Sequence, residues 1–185
     1  MTAPTTQNLI DGRWVPARSG RTFETRNPAD REDLVGPAPD SSEEDVHSAV
    51  AAARRAYDEW RLVPAPARAG ILHQAALLLR DRKEDLARTM TREMGKVLAE
   101  ARAEVQDAID CGLYMAGEGR RLLGDTAPSE GANRICLTLR MPIGVCAAIT
   151  PWSLPLAIPA RKIFPALLCG NTVVFKPASE APASG

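Results

Sequence analysis

Two short runs without a charge, residues 145–149 (Val-Cys-Ala-Ala-Ile) and 172–175 (Thr-Val-Val-Phe), bracket a helical stretch and limit what this chain can fold into. An alternating strand keeps one wet face, whereas a continuous apolar run predicts a strand covered on both sides. Between the runs, residues 155–168 are helical in pattern and Gly170 ends them. Strand, helix and strand joined by short connections make a βαβ unit, and the right-handed crossover rule puts both strands parallel in one sheet. The fold class is therefore α/β. Both carboxyl ends face one edge, which is where open α/β sheets bind ligands. Thr150-Pro151-Trp152-Ser153 follows the first strand there, and Lys176-Pro177-Ala178-Ser179 follows the second. A free amide row, a flat indole, a lysine and a hydroxyl are what the phosphate, base and ribose of a nucleotide can use. Packing and surface exposure are the competing readings of that tryptophan and that lysine. No G-x-G-x-x-G fingerprint accompanies them.

The same region could deceive a hydropathy scan, because residues 141–160 carry no charge between Arg140 and Arg161. That length permits a membrane span. Pro142, Pro151, Pro155 and Pro159 each remove a backbone donor, and Thr150 and Ser153 interrupt the apolar run, so a strand, a tight turn and a helix fit better. No membrane partner is expected. With 23 Lys+Arg against 23 Asp+Glu the net charge is zero, which gives no electrostatic reason for a nucleic-acid partner. At 185 residues, 45% hydrophobic and 25% charged, the chain has the composition of one or at most two globular domains. Residues 1–11 have neither a basic patch nor an apolar stretch, so a cytoplasmic location is expected, with reduced thiols. Cys111, Cys136, Cys146 and Cys169 are each at least ten residues from the next, and the histidines are His47 and His73. That spacing predicts no metal site, and all four cysteines are expected to be buried small hydrophobes.

Upstream, short extended runs at Leu9-Ile10, Trp14-Val15, residues 21–26 and Leu34-Val35 predict an antiparallel arm over 9–36, with a turn at Asp11-Gly12. Ser41 and Glu44 have capping-box spacing and open a helix over 43–61. Its inward stripe is Val46, Ala49, Val50, Ala53, Tyr57 and Trp60. Further amphipathic helices are predicted over 67–80, 83–94 and 97–117, with Gly95 as the stop between the last two, so that 43–120 is a helical layer whose charges are solvated. Beyond a turn-rich stretch at 124–133 the period changes to two, and Ile135, Leu137, Leu139 and Met141 define a strand within 133–141 that has one wet face.

These residues also carry a resemblance. Pro142-x-Gly144-Val145, the run from Ile149 through Thr150-Pro151-Trp152-Ser153 to Leu156, Lys162-Ile163-x-Pro165-Ala166-Leu167 and Gly170-Asn171-Thr172-Val173-Val174-x-Lys176-Pro177 closely resemble the amino-terminal part of the aldehyde dehydrogenase superfamily. The match continues upstream through Asn27-Pro28-Ala29, Arg92-Glu93-Met94-Gly95-Lys96 and Tyr114-x-Ala116-Gly117-Glu118-Gly119. The last two motifs look most like the semialdehyde-oxidising branch, which includes 2-oxoglutarate and succinate semialdehyde dehydrogenases. The resemblance implies a Rossmann-type fold of which 1–185 is a partial NAD(P)-binding domain: the arm, the helical layer, a strand of an oligomerisation element over 133–141 and the βαβ unit over 145–176. It also implies oxidation of a small-molecule aldehyde to a carboxylic acid, through a thiohemiacetal and a thioester, in a homo-oligomer of complete chains.

By the same resemblance Thr150, Pro151 and Trp152 touch the nicotinamide side of the cofactor. Lys176 holds the adenosine ribose, with Ala178 and Ser179 in the same loop, and Lys162 lies behind the site in a supporting or a catalytic role. Ser153 stands where the family has an asparagine that helps hold the oxyanion, and its competing reading is a cap for the following helix. Ser179 stands where many members have a glutamate, which leaves room for a 2′-phosphate and favours acceptance of NADP beside NAD. The family's nucleophilic cysteine and general-base glutamate fall beyond residue 185, in a thiol domain these residues lack. Two expectations result: a fragment of an enzyme, or a truncated, inactive remnant with at most weak nucleotide binding or an interaction role.

Overall fold

Local turn chemistry makes the arm. In the computed structural model, which describes residues 6–185, β1 (Asn8–Ile10) and β2 (Arg13–Val15) pair antiparallel across Asp11-Gly12. β3 (Thr22–Asn27) pairs antiparallel with β4 (Asp30–Pro39), which is longer than the Leu34-Val35 run predicts. The expectation that 1–11 hold no leader falls partly outside the described residues.

α1 (Glu43–Trp60) starts from Ser42 rather than Ser41. The Asp45 carboxylate accepts the amide N–H of Ser42 at 2.8 Å and that of Arg18 at 3.0 Å. Ser41 is otherwise engaged, accepting from the Asn8 side chain at 2.8 Å, so the box sits one residue later. Backbone donors, the Ser42 amide foremost, hold the Asp45 carboxyl below its usual range. α2 (Ala65–Asp81), α3 (Lys83–Met94) and α4 (Leu98–Glu118) come next, close to their predicted bounds.

Two clusters form the core. Ala69, Leu72, Ala108, Ala160, Phe164 and Leu168 join α2 and α4 to α5 (Ala157–Leu168), while Ala87, Met90, Ala101, Val105 and Ile109 join α3 to α4. Gly112 makes the first crossing possible, because a Cβ there would lie 2.9 Å from both Ala76 and Phe164. The stripe predicted for α1 is only partly covered: Val46 and Val50 are exposed. Polar contacts tie α1 to the end of α5 and the strand after it, with the Thr172 hydroxyl donating to Ala53 O at 2.9 Å and the Trp60 indole to Leu167 O at 3.1 Å.

β7 (Val145–Ile149), α5 and β8 (Thr172–Lys176) form the predicted βαβ unit, with β7 and β8 parallel from Val145↔Thr172 to Ile149↔Lys176. Asn171 locks its entry: the side-chain oxygen accepts Ile143 N–H at 2.7 Å and Gly144 N–H at 3.1 Å. The uncharged window thus folds as strand, turn and helix, and no helix among the described residues is long and apolar enough to cross a membrane. Cover on both faces is incomplete. α1 and α5 pack on the sheet, but Ile149, at the carboxyl edge, is 77% exposed.

Two further expectations are corrected. The strand over 133–141 reduces to β6 (Cys136–Leu137), paired with β5 (Thr126–Ala127), and Ile135, Leu137, Leu139 and Met141 are all exposed. Alternation holds a long strand only when a layer covers its apolar face, and a bare two-stranded ribbon is marginal. The cysteines are not all buried. Cys136, on that ribbon, and Cys169, at the end of α5, are exposed, while Cys111 and Cys146 are half-buried. No metal-binding cluster of His, Cys, Asp or Glu occurs among the described residues.

Two of the three upstream motifs, at 27–29 and 92–96, pack on each other. Arg92 grips Asp33 through two hydrogen bonds of 3.0 and 2.5 Å, and Asn27 donates to the same carboxylate at 3.1 Å. Gly95 ends α3 at a φ of 81°, and a Cβ there would lie 2.8 Å from Pro28 Cγ. Gly95→Ala therefore meets both a left-handed backbone and a collision. Urea unfolding is expected to show a loss of about 1–3 kcal/mol, and an unchanged midpoint would show that Pro28 yields without cost.

Candidate functional site

The parallel ladder continues one rung past β7. Thr150 N–H donates to Lys176 O at 3.3 Å, so the two chains leave the sheet side by side at its carboxyl edge. Thr150 is buried, and its hydroxyl has no hydrogen-bond partner among the described residues. A buried hydroxyl at a sheet edge is normally satisfied, and this one is not. Pro151, Trp152 and Ser153 then turn outward, with Trp152 51% exposed.

The turn is held from behind. Lys96 Nζ donates to Ser153 O at 3.1 Å and forms an ion pair with Glu104, the two side chains being 9% and 2% exposed. The other oxygen of Glu104 accepts Leu156 N–H at 2.9 Å and Ala157 N–H at 3.2 Å. Those are the amides of the residue just before α5 and of its first residue, so a carboxylate from α4 caps that helix. The capping reading of Ser153 is corrected: no local side-chain cap hydrogen bond is made at the start of α5, what Ser153 contributes to the turn is a carbonyl, and the residue is exposed.

In the second loop Lys176 is exposed, Ala178 is buried with its carbonyl accepting Ala181 N–H at 3.2 Å, and Ser179 and Glu180 are exposed. The loop is fastened by Glu93, which accepts the Ala183 and Ser184 amides at 2.8 Å each and the Ser184 hydroxyl at 2.6 Å. Trp152, Ser179 and Glu180 line one open depression of about 460 Å³ together with Arg26, Glu93 and Met94.

The structure thus brings Thr150 beside Lys176, and Trp152 beside Ser179. It does not bring Lys162 to them: that residue is exposed on α5 and does not line the depression. Sequence reasoning missed Glu93, Lys96 and Glu104 by treating the charges of the helical layer as solvated. A signal was present. Glu104 sits three residues after Ala101 and four before Ala108, and Glu93 three after Met90, all on buried helix faces. A charge on an apolar stripe needs a partner, and here the partners are the backbone of the two loops.

Comparison with known proteins covers nearly the whole chain. The family model described as the aldehyde dehydrogenase family matches residues 14–185. The chain is similar to the alpha-ketoglutarate semialdehyde dehydrogenase of Haloferax volcanii, with 46% identity over 182 residues, 98% of this chain and 38% of that protein. It is 43% identical over 178 residues to the NADP(+) succinate-semialdehyde dehydrogenase of Escherichia coli, covering 96% of this chain and 37% of that one. Among solved structures, an NAD-dependent aldehyde dehydrogenase from Sinorhizobium meliloti superposes with a TM-score of 0.95 at 37% identity, covering 98% of this chain and 37% of that one. The chain therefore spans less than two-fifths of the length of these relatives.

Burial pushes the Glu93 carboxyl above its usual value of 4.5, against the pull of Ser184 and Ala183. A folded pKa above the unfolded one gives stability that is fully present below the unfolded value and is lost as pH rises through the folded one. The stability difference, wild type minus Glu93→Gln, is therefore expected to shrink between about pH 4 and about pH 7. Urea titrations at both values check this, and a difference that grows with pH would show that the hydrogen bonds outweigh burial.

Proposed function

Since the chain belongs to the aldehyde dehydrogenase family, we propose that these residues form the nucleotide-facing part of an NAD(P)-dependent enzyme that oxidises an aldehyde or semialdehyde to a carboxylic acid. The observation that carries this reading is the pairing of Thr150 with Lys176 at the carboxyl edge, where a buried hydroxyl has no partner among the described residues. A dinucleotide fits the exposed groups there: the Trp152 indole, the Lys176 ammonium and the hydroxyl of Ser179. When bound, NAD(P) supplies the acceptor for the aldehyde's hydride.

In this proposal Thr150, Pro151 and Trp152 face the nicotinamide side. Lys176 and Ser179 hold the ribose, and Ala178, whose side chain is buried, contributes backbone alone. The Ser153 hydroxyl donates to the developing oxyanion, a contact of a kind whose loss typically costs about 10² to 10³ in rate. Lys162 is at most a supporting charge. The nucleophilic cysteine and general base are assigned to residues outside these 185, since none of the four cysteines lies in the matching motif. The substrate class rests on the semialdehyde relatives, and a cytoplasmic homo-oligomer of complete chains completes the reading. Exposure of Ile135, Ile143 and Ile149 favours a second reading, an inactive piece with an interaction role.

The 185 residues are expected to bind NADPH at least as tightly as NADH, because Ser179 leaves space beside Lys176 where a glutamate would repel a 2′-phosphate. Fluorescence titration checks this. Lys176→Ala should weaken NADPH binding about 10-fold, with no aldehyde turnover in either protein. A strong NADH preference would show that Glu180, in the same depression, has taken the glutamate's role. Turnover abolished by Cys146→Ser or Cys169→Ser would overturn the assignment of the nucleophile.

In a protein that joins these residues to the nucleophile, Ser153→Asn is expected to raise kcat by about 10-fold with cofactor affinity unchanged, since the contact exists only in the transition state. Single-turnover acylation measures it, and an unchanged rate would remove Ser153 from the oxyanion site.

A further inference from the structure

The turn that carries Trp152 and Ser153 is short, exposed on its outer side and anchored on its inner side by a single ion pair. We propose that Lys96 and Glu104 are positioning residues that set the outward presentation of this turn; the inference rests on the reading of residues 150–153 as cofactor-facing. Taking two charges out of water is costly, and a well-packed apolar pair would join α4 to α5 at less cost. Lys96 and Glu104 are nonetheless almost fully buried.

What the ion pair supplies and an apolar pair cannot is a set of directed hydrogen bonds at both ends of one turn. Lys96 takes the Ser153 carbonyl at 3.1 Å, and Glu104 takes the Leu156 and Ala157 amides at 2.9 and 3.2 Å. The ion pair then links the two grips. A carbonyl directed inward at Ser153 fixes the backbone from which its hydroxyl and the neighbouring indole project. The inner pair therefore sets what the outer face offers to a nucleotide, without touching it.

The test uses the whole 185-residue chain, with NADPH as the probe. In Lys96→Met/Glu104→Gln the glutamine oxygen still accepts the two helix amides while the tether to Ser153 is lost. This variant is expected to unfold cooperatively, to bind NADPH about 10-fold more weakly and to show amide exchange at least about 10-fold faster, confined to residues 150–157. Lys96→Arg, which keeps a donor and a charge, is expected to leave the NADPH Kd unchanged. Should the double variant fail to fold, the near-isosteric Glu104→Gln takes its place, with an expected weakening of about 3-fold. A purely structural pair would lower the urea midpoint and leave the NADPH Kd unchanged, and that result overturns the inference alone. Wild-type chain that binds no NADPH overturns the nucleotide reading and takes this inference with it.

Discussion

A carboxylate buried against a helix start is the constraint around which this structure is arranged. Glu104 sits in the packed interface of α4 and α5, where a lone charge is not tolerated, and its three partners settle where β7 hands over to α5. At the other end of α5, the buried guanidinium of Arg68 donates to Leu168 O at 2.9 Å and also to Val63 O, while Trp60 donates to Leu167 O. Burial lowers the pKa of Arg68. α5 thus has an anion at its amino end and a cation at its carboxyl end, the arrangement its macrodipole favours, and both come from the helical layer.

That arrangement gives the helical layer its purpose. α3 and α4 send charged side chains into the backbone that builds the carboxyl edge, Glu93 from α3, Lys96 just after α3 and Glu104 from α4, while Arg68 from α2 holds the opposite end of α5. The arm joins through Asp33, which Arg92 grips, and through Pro28 against Gly95. Motifs far from the edge in sequence therefore converge on the two loops that the edge presents.

Much of this was legible in the residues. The continuous runs at 145–149 and 172–175 implied a parallel pair, and helical periodicity placed α2, α3 and α4 to within a few residues. Gly95 announced the break between α3 and α4. What escaped depends on contacts distant in sequence. The cap of α1 moved by one residue because Asn8 occupies Ser41, 33 positions away. The strand over 133–141 shrank to a pair of residues because its alternation found no covering layer. Cys136 and Cys169 are exposed because position on a ribbon or a helix end outweighs the preference of the residue type. Glu104 and Glu93 were readable as charges on apolar stripes, but their partners are backbone groups 52 to 91 residues away, which no local pattern indicates.

We propose the carboxyl edge of β7 and β8 as a dinucleotide site, and amide hydrogen exchange of this chain with and without NADP reports where the nucleotide sits. Protection confined to residues 150–153 and 176–180 is the predicted result. Protection centred instead on the groove between α2 and α4, at Gly70, His73 and Arg120, would place the nucleotide away from the carboxyl edge and overturn this assignment.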